Sequence, residues 1–378
     1  MNQSRSDGPR IAQLANFVGP SSGGMKTAVE MLGRHYVESG AARLLVTPGS
    51  RDLVERTTVG TLVQLRAPRV GGGYRLILEP WRVLEVLASF RPTSIEISDK
   101  STLLPVTGWA RRAGVGCLLF SHERLDAMLS LRTGWQSGIG AGVSVLNRVL
   151  ARRFDAVVVT SRFAAAEFPT HATPVHRVPL GVDLDVFHPR RGAPADDGVL
   201  KLAHVGRLSR EKSPHLAVAA AVALHQRGVP VHMDVFGSGP HEHELRAIGR
   251  GAPVRFHGHV TDRGTLAAYL ASADVAVSAC PGETFGLAIL EALACGTPVV
   301  TADRGGGPEL VDDDCGEHGA PEPEALADAV SRLAARDPGV RRRAARRRAE
   351  RFQWAETARA MLELHRDVTA GQTVSATA

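Results

Sequence analysis

Residues 274–300 read DVAVSACPGETFGLAILEALACGTPVV. The first six of these residues predict a buried strand, which the helix breakers Pro281 and Gly282 end. LAILEALAC predicts a helix, and Gly296 with Pro298 stops it before a second apolar strand, PVVTA. A strand, a helix and a strand in this order form one unit of a parallel sheet, and ligands of such sheets bind where strands lead into helices.

The same alternation of strand-like and helix-like segments runs along all 378 residues. In the first half we predict helices over residues 27–39 and 102–112, and a linker rich in Pro, Gly and Asp over 179–198. The predicted strands of the first half are 10–18, 43–47, 94–98, 116–121, 156–160 and 176–179, with one more between 52 and 73. The chain is too long for one hydrophobic core, so this series should form a domain of its own.

A second series begins after the linker with the strand KLAHVG and the helix HLAVAAAVALHQR. The segments VHMDVFG, VRFHG, DVAVSA and PVVTA follow as strands. We therefore expect an α/β protein with two doubly wound, Rossmann-like domains that face a central cleft. Their expected bounds are 1–182 for the N-terminal domain, 183–198 for the linker and 199–350 for the C-terminal domain, with a helix over 351–368 and a flexible tail over 369–378.

Composition narrows the class of protein. Hydrophobic residues at 44% and charged residues at 22% are typical of a globular protein, and no apolar run approaches the roughly 20 residues that a membrane span needs. The first ten residues, MNQSRSDGPR, lack the apolar core of a signal peptide, and the four cysteines show no CxxC spacing. We therefore expect a cytoplasmic protein without a disulfide framework or a zinc site.

The formal net charge is +6, and a dense basic segment, RRRAARRR, occupies residues 341–348. A segment of helix formers with this charge is typical of a solvated helix face, and contact with the inner face of a membrane is the alternative. Aromatic residues, on which nucleic-acid bases would stack, do not interleave with these arginines. We therefore expect no nucleic-acid partner.

The opening segment contains two glutamates: Glu283 lies in the turn before the predicted helix, and Glu291 lies inside it. The helix N-terminus offers the free backbone N–H groups of Thr284, Phe285, Gly286 and Leu287. An anion such as a diphosphate would bind there, and Glu283 would bind hydroxyls of the group that the phosphate carries. Glu291 has apolar neighbours and needs donors, which two ribose hydroxyls would supply. The alternatives are a structural salt bridge for Glu291 and a favourable interaction with the helix dipole for Glu283.

A second strand-to-helix loop, VGRLSREKSP over residues 205–214, carries Arg207 and Lys212. A planar guanidinium and a mobile ammonium on one short loop suit a diphosphate, which accepts both a bidentate pair and a point charge. The alternative is a pair of exposed basic residues. Two cations from one loop and two glutamates from another predict a nucleotide-sugar site, with the cations on the phosphates and the acids on the hydroxyls.

The segment from Glu283 to Glu291, with GRLSREK upstream and GVDLDVFHP in the linker, resembles family 4 of the retaining glycosyltransferases, and among them the actinobacterial mannosyltransferases. The resemblance covers nearly the whole chain and implies the GT-B fold. It implies that Arg207 and Lys212 bind the donor diphosphate. It also implies that Glu283 contacts the donor sugar and Glu291 the ribose. Finally, it implies that the linker is a hinge and that the last helix packs back on the first domain.

Three further segments are weaker candidates. GPSSGGMK, residues 19–26, joins the first predicted strand to the first helix, and Gly23 and Gly24 would let the backbone approach a ligand closely; the alternative is a plain flexible turn. His122 ends a predicted strand, and the family has a histidine beside the donor sugar at such a strand end. The family reads the base with the backbone of the segment matching FHGHV, which ends here at Val260, and it places the amides of Phe285 and Gly286 near the donor.

Asp183 and Asp185 have the spacing of DxD, the metal motif of the other large glycosyltransferase fold, but they lie in the linker and we interpret them as hinge structure. Arg207 and Lys212 would neutralise the phosphates in place of a metal, so neither a metal nor a cofactor is expected. SIEISDK, residues 94–100, lacks a histidine that the family commonly has there. That departure leaves Asp99 as a weak candidate for handling the acceptor.

The expected activity is transfer of a hexose from a nucleoside diphosphate sugar to a hydroxyl acceptor, with retention of configuration. The resemblance favours GDP-mannose as the donor, with a UDP-sugar next, and a membrane glycolipid as acceptor fits the basic surface. Two alternatives remain open. One is a nucleotide-sugar epimerase of similar fold, which would act without an acceptor, and the other is a non-catalytic protein that binds nucleotides or nucleic acid.

Overall fold

The computed structural model describes residues 8–16, 23–70, 74–98, 100, 102–122, 139–168, 173–192 and 197–376, and of residues 139–144 and 373–376 the backbone alone. Its strands are β1 (Arg10–Leu14), β2 (Ala42–Gly49), β3 (Leu53–Thr57), β4 (Gly60–Arg66), β5 (Ser94–Ile97), β6 (Gly116–Ser121), β7 (Ala156–Val159), β8 (Val175–Arg177), β9 (Leu200–Val205), β10 (Val231–Phe236), β11 (Val254–Gly258), β12 (Val275–Ser278), β13 (Val299–Ala302) and β14 (Gly316–Gly319).

The helices of the same residues are α1 (Gly24–Glu38), α2 (Pro80–Phe90), α3 (Pro105–Ala113), α4 (Ile139–Ala151), α5 (Arg162–Ala165), α6 (Pro214–Gln226), α7 (Glu242–Ile248), α8 (Arg263–Ala271), α9 (Leu287–Ala294), α10 (Pro323–Ala334), α11 (Pro338–Ala349) and α12 (Trp354–Ala376). Short 3-10 helices lie at Pro189–Arg191, Arg210–Lys212 and Gly307–Glu309.

The first sheet has eight strands in the order β3-β4-β2-β1-β5-β6-β7-β8. Neighbouring strands of this sheet run parallel, except that β3 at one edge runs antiparallel to β4. Side chains of α2 and α3 join the core on one face of this sheet, and α1 and α12 pack on the other. Cover on both faces explains why β6 and β7 are buried along their whole length.

The second sheet has six parallel strands in the order β11-β10-β9-β12-β13-β14. The chain moves outward from β9 to β10 and β11, then returns to β12 on the other side of β9 and moves outward again. The loops after β9 and β12 therefore border a crevice at the carboxyl ends of these strands, which is where ligands of such sheets bind. In the first sheet, β1 between β2 and β5 forms the corresponding reversal.

The chain passes between the two domains twice, once in the linker after β8 and once just before α12. A hydrogen bond joins these two crossings. Val182 in the linker donates its backbone N–H to the carbonyl of Phe352 at 3.0 Å. Gly181 is required beside it because a Cβ there would overlap the backbone of Trp354. From Trp354, α12 runs back onto the first domain and packs against α1, β5 and β6.

The expected architecture of two doubly wound α/β domains is confirmed, with differences in individual elements. Where one strand is expected between residues 52 and 73, the chain forms the hairpin β3–β4. The helix expected from residue 102 begins only at Pro105, because proline suits the first helical position and lacks the N–H that an earlier start would use. The strand expected over 10–18 ends at Leu14, and residues 17 and 18 lie outside the described ranges.

The arginine run lies on α11, and four of its six side chains are engaged inside the protein. Each of the four donates to a main-chain carbonyl at the end of another helical segment, where carbonyls lack intrahelical partners. These bonds are Arg341–Leu333 (2.7 Å), Arg342–Ala271 (2.6 Å), Arg346–Ala294 (2.9 Å) and Arg348–Leu310 (2.9 Å). In this run, only Arg343 and Arg347 are exposed.

The expectation that this run is a solvated helix face is therefore wrong for four of its six arginines. Their guanidinium groups complement the partial negative charge at helix C-termini and join the helices together. The run as a whole is consequently not presented to a membrane. The sequence does not reveal this arrangement, because the acceptors are carbonyls that any residue could offer.

Replacing Arg342 tests the structural role of the run. Arg342→Ala removes hydrogen bonds to the carbonyls of Ala271, Ala273 and Cys295 and should lower the free energy of unfolding by about 1.5–3 kcal/mol, as for bonds that involve a charged group. Arg343→Ala, the exposed neighbour, should change it by no more than about 0.5 kcal/mol. Urea unfolding of both variants measures the difference, and equal effects would contradict the assignment.

Candidate active site

Two loops that follow neighbouring strands of the second sheet bring the predicted basic and acidic residues together. Arg207 and Lys212 follow β9, and Glu283 follows β12. The Nζ atom of Lys212 lies 2.8 Å from one carboxylate oxygen of Glu283 and 3.1 Å from the other. The side chain of Glu283 is 15% exposed and that of Lys212 is 41% exposed, so the ammonium is the more accessible partner of this pair.

Arg207 is held by a residue of the other domain. Its Nη1 donates to the hydroxyl of Tyr74 at 2.5 Å, and its guanidinium lies 5.1 Å from the centre of the tyrosine ring. Glu211, on the same loop as Arg207, is 3.9 Å away. Tyr74 lies between β4 and α2, in the segment RVGGGYRL. Nothing in that segment distinguishes it from a surface tyrosine, so sequence reasoning missed it.

The N-terminus of α9 is open to an anion. Gly286 precedes this helix with a φ of 102°, a conformation that favours glycine, and no side chain caps the helix. Among the described residues, none accepts a hydrogen bond from the backbone N–H of Phe285 or Gly286. These groups and the helix dipole favour negative charge. The ring of Phe285 is buried, edge-on to Phe352 at 6.4 Å between ring centres.

Glu291 lies in the middle of α9 and pairs with Arg263 of α8, whose Nη2 is 3.0 Å from its Oε1. Burial raises the pKa of Glu291 to about 7, and the charge of Arg263 opposes that rise. The guanidinium of Arg263 lies 4.9 Å from the centre of the Phe187 ring. The salt bridge considered for Glu291 is thus present. It occupies one carboxylate oxygen, and Oε2 has no partner among the described residues.

The first domain forms the opposite wall of the crevice. Gly24, at the start of α1, faces Leu287, since a Cβ on Gly24 would lie 3.4 Å from Leu287 Cδ1. His122 follows β6, with its Nε2 3.2 Å from the hydroxyl of Ser98. Burial lowers the pKa of His122 to about 4. The imidazole is therefore neutral at pH 7 and would act on a ligand through hydrogen bonds rather than charge.

The remaining candidates have different placements. Val260 follows β11 and packs against an apolar cluster whose buried residues come from both domains. Asp183 accepts from the backbone N–H of Asp185 and Val186 at 3.2 and 3.0 Å, so it closes a turn in the linker. Asp99 and residues 19–22 lie outside the described part of the chain. Within that part, no group of three or more His, Cys, Asp or Glu is arranged to hold a metal.

Comparison with known proteins establishes the class. Residues 23–183 match the family model "Glycosyl transferase 4-like domain", and residues 200–336 match "Glycosyl transferases group 1". A GDP-mannose-dependent alpha-(1-6)-phosphatidylinositol dimannoside mannosyltransferase of Mycobacterium tuberculosis (strain ATCC 25177 / H37Ra) is 41% identical over 367 residues, which cover 93% of this chain and 95% of the relative. The chain belongs to this family of glycosyltransferases, as the resemblance implies.

Other similarities agree with this class. A D-inositol 3-phosphate glycosyltransferase of Saccharomonospora viridis is 36% identical over 222 residues, which cover 52% of this chain and 51% of that protein. Among solved structures, a sucrose-phosphate synthase from Thermosynechococcus elongatus has a TM-score of 0.78 at 24% identity and covers 96% of this chain and 100% of its own. The expected GT-B fold is confirmed, and the protein is an enzyme that transfers a glycosyl group.

The pKa of Glu291 predicts a change in the pH dependence of stability. Its pKa is about 7 in the folded chain and about 4.5 in the unfolded chain, so protonation stabilises the fold. This contribution is complete below pH 4.5 and is lost as the pH rises through 7. Wild type should therefore lose stability relative to Glu291→Gln between pH 5 and pH 8, by about 1–3 kcal/mol.

Urea unfolding of the two proteins at four pH values across this window measures the difference. The Gln variant is the matched control, because it keeps the shape and a hydrogen-bond acceptor for Arg263. A difference in stability that does not vary with pH would mean that Arg263 keeps Glu291 ionised throughout.

Proposed function

We propose that the enzyme transfers mannose from GDP-mannose to a hydroxyl of a phosphatidylinositol-type glycolipid, with retention of anomeric configuration. The relative from Mycobacterium tuberculosis is named for such a donor and acceptor, and the two chains match along nearly their whole length. The observation that carries the proposal is the convergence of Arg207, Lys212 and the N-terminus of α9 beside Glu283. Two cations, free N–H groups and a carboxylate match the phosphates and hydroxyls of a nucleotide sugar.

The ion pair between Lys212 and Glu283 suggests how the donor binds. A diphosphate carries more negative charge than one carboxylate, so Lys212 would move from Glu283 to the phosphates. That exchange would release the oxygens of Glu283 for hydroxyls of the donor sugar. Arg207 would bind the same diphosphate through its planar fork. The N–H groups of Phe285 and Gly286 would stabilise the charge that develops on the leaving oxygen.

The other site residues would position the donor and the acceptor. Oε2 of Glu291 would accept hydrogen bonds from the ribose hydroxyls while Arg263 holds Oε1. The backbone near Val260 would contact the base. His122, being neutral, would exchange a hydrogen bond with a hydroxyl of the sugar. Gly24 would let the N-terminus of α1 approach the phosphates closely.

We propose that the acceptor attacks on the face from which the leaving group departs. In a double displacement, a carboxylate nucleophile would attack the anomeric carbon from the opposite face. The residues placed on the first-domain wall, Gly24, Ser98 and His122, include no carboxylate. The bond to the diphosphate would break as the bond to the acceptor oxygen forms, and the leaving phosphate would take the acceptor proton. Arg207 and Lys212 would replace a divalent metal by neutralising that phosphate.

The proposal predicts that donor binding depends on Arg207. Isothermal calorimetry should show binding of GDP and GDP-mannose, and Arg207→Ala should weaken it by about 1.5–3 kcal/mol through loss of bonds to charged groups. Arg210→Ala, which removes an exposed arginine from the same loop, is the matched control and should change affinity little. Transfer of mannose to a phosphatidylinositol mannoside should proceed in buffer that contains EDTA.

Each alternative gives a different result in these assays. Selective binding of UDP would overturn the choice of donor. Conversion of the donor sugar without any acceptor would indicate an epimerase. Loss of transfer in EDTA, restored by magnesium or manganese, would overturn the proposal that the reaction needs no metal.

A glycolipid acceptor requires contact with a membrane surface. None of the helices in the described ranges is long and apolar enough to cross a membrane.

Helix α4 and the turn after it form a surface suited to contact with a membrane. What we call the α4 face combines three exposed apolar residues and one exposed arginine of α4 with two exposed arginines of the turn directly after it: Val145, Leu146, Val149, Arg148, Arg152 and Arg153. Neither α4 nor the preceding α3 contains an acidic residue. We propose that the α4 face docks the enzyme on anionic lipid, because cations and apolar side chains together suit a bilayer interface.

Vesicle flotation tests the α4 face. Replacing its three arginines with Gln should weaken binding to phosphatidylcholine vesicles that contain phosphatidylinositol by about tenfold or more, since each cation near an anionic surface contributes appreciably. Replacing its three apolar residues with Ser should weaken binding as well. The pair Arg343→Gln and Arg347→Gln removes exposed charge from α11 and is the control. Equal loss in that control would show that only net charge matters.

A further inference from the structure

The turn between Glu283 and α9 is held by the first domain through one residue. The hydroxyl of Thr284 donates to the carbonyl of His122 at 2.8 Å. The carbonyl of Thr284 accepts from the hydroxyl of Ser161 at 2.5 Å and from that of Thr160 at 3.4 Å. Thr160 and Ser161 are 3% and 2% exposed, so these bonds are shielded from water.

Gly306 of the second domain packs against the same turn, next to the carbonyl groups of Glu283 and Thr284. The backbone N–H of Gly306 donates to the carbonyl of Glu283 at 2.6 Å. A Cβ on Gly306 would overlap the carbonyl oxygen of Thr284, so this position requires glycine. The peptide group of Thr284 therefore lies between Ser161 and Gly306, and the placement of Glu283 depends on both neighbours.

A second contact between the domains lies at the same place. The carboxylate of Glu309 accepts from the backbone N–H groups of Arg162 and Phe163 at 3.0 and 2.9 Å, the first two residues of α5. Ser161 caps this helix by accepting from the backbone N–H of Ala164 at 3.0 Å. The first turn of α5 thus holds both the turn before α9 and the segment that carries Glu309.

We infer that Ser161 and Thr284 are positioning residues, which place Glu283 against the donor sugar when the two domains meet. This inference rests on the proposed function, in which Glu283 binds that sugar. The cations Arg207 and Lys212 belong to a separate loop, which follows β9. Loss of these contacts should therefore reduce transfer more than it reduces affinity for free nucleotide, because the two cations still bind the phosphates.

The decisive variant is Thr284→Val, which keeps the shape of the side chain and removes the hydrogen bond to His122. It should lower kcat with GDP-mannose and a phosphatidylinositol mannoside about fivefold to tenfold, as for loss of one buried neutral hydrogen bond. The dissociation constant for GDP should rise by a smaller factor than kcat falls, and the melting temperature should fall by no more than a few degrees. Thr58→Val, at an exposed position in the β3–β4 turn, is the matched control and should leave all three unchanged.

Ser161 supplies a second pair of variants. Ser161→Ala should lower kcat to a similar degree, and Ser161→Thr should recover most of the loss because it retains a hydroxyl. Since Ser161→Ala also removes the cap of α5, its melting temperature should fall further than that of Thr284→Val. The comparison separates helix capping from positioning.

The outcomes distinguish this inference from the proposed function. Unchanged kcat in Thr284→Val, with an active wild type, would overturn the inference alone, as would a parallel loss of GDP affinity. If wild type transfers no sugar from any nucleotide sugar, the proposed function fails, and X-ray scattering in solution then tests the contact itself. Thr284→Val should then have a larger radius of gyration than wild type, and equal radii would overturn the inference.

Discussion

Strands β9 and β12 lie side by side, yet the chain leaves β9 towards β10 and leaves β12 towards β13. The connections that follow these two strands lead in opposite directions, so a crevice forms between the carboxyl ends of β9 and β12. Two loops face each other across it, one with Arg207 and Lys212 and the other with Glu283. Charged side chains in a crevice are stabilised by partners of opposite charge. Lys212 and Glu283 form such a pair, with 2.8 Å between Nζ and a carboxylate oxygen. The chemistry of the site thus follows from the order of the strands.

Glu283 and Glu291 differ because their surroundings differ. Glu291 lies on a buried helix, where desolvation raises its pKa to about 7 even though Arg263 is 3.0 Å away. Arg263 begins α8, and the last carbonyl of that helix accepts a hydrogen bond from Arg342. The same arginine also reaches the carbonyl of Cys295, directly after α9. Arg342, which lies outside the site, therefore holds together the two helices whose side chains form the Arg263–Glu291 pair. Arg342 thus links the stability of the fold to the geometry of the site.

The sequence predicts features that are local along the chain. Arg207, Lys212 and Glu283 could be assigned because each lies in a recognisable strand-to-helix loop, and a shared family motif reinforces the assignment. Tyr74 could not be assigned, because its partner is 133 residues away and the segment around it carries no pattern. The prediction that the arginine run is a solvated helix face is wrong for a related reason. A main-chain carbonyl at the end of a distant helix leaves no trace in residue type, so the inward direction of Arg342 becomes visible only when the helices are assembled.

The turn between Glu283 and α9 lies beside the place where the chain crosses between domains. Phe285 packs edge-on against Phe352, and the carbonyl of Phe352 accepts from Val182 of the other crossing at 3.0 Å. A small rotation of one domain about the joined crossings would therefore move this turn. The loop that carries Lys212 is separate from it, so in the proposed function the phosphates would bind before the domains close, and closure would complete the sugar subsite. That order suits a transferase, which has to keep water from the donor sugar until the acceptor hydroxyl is in place.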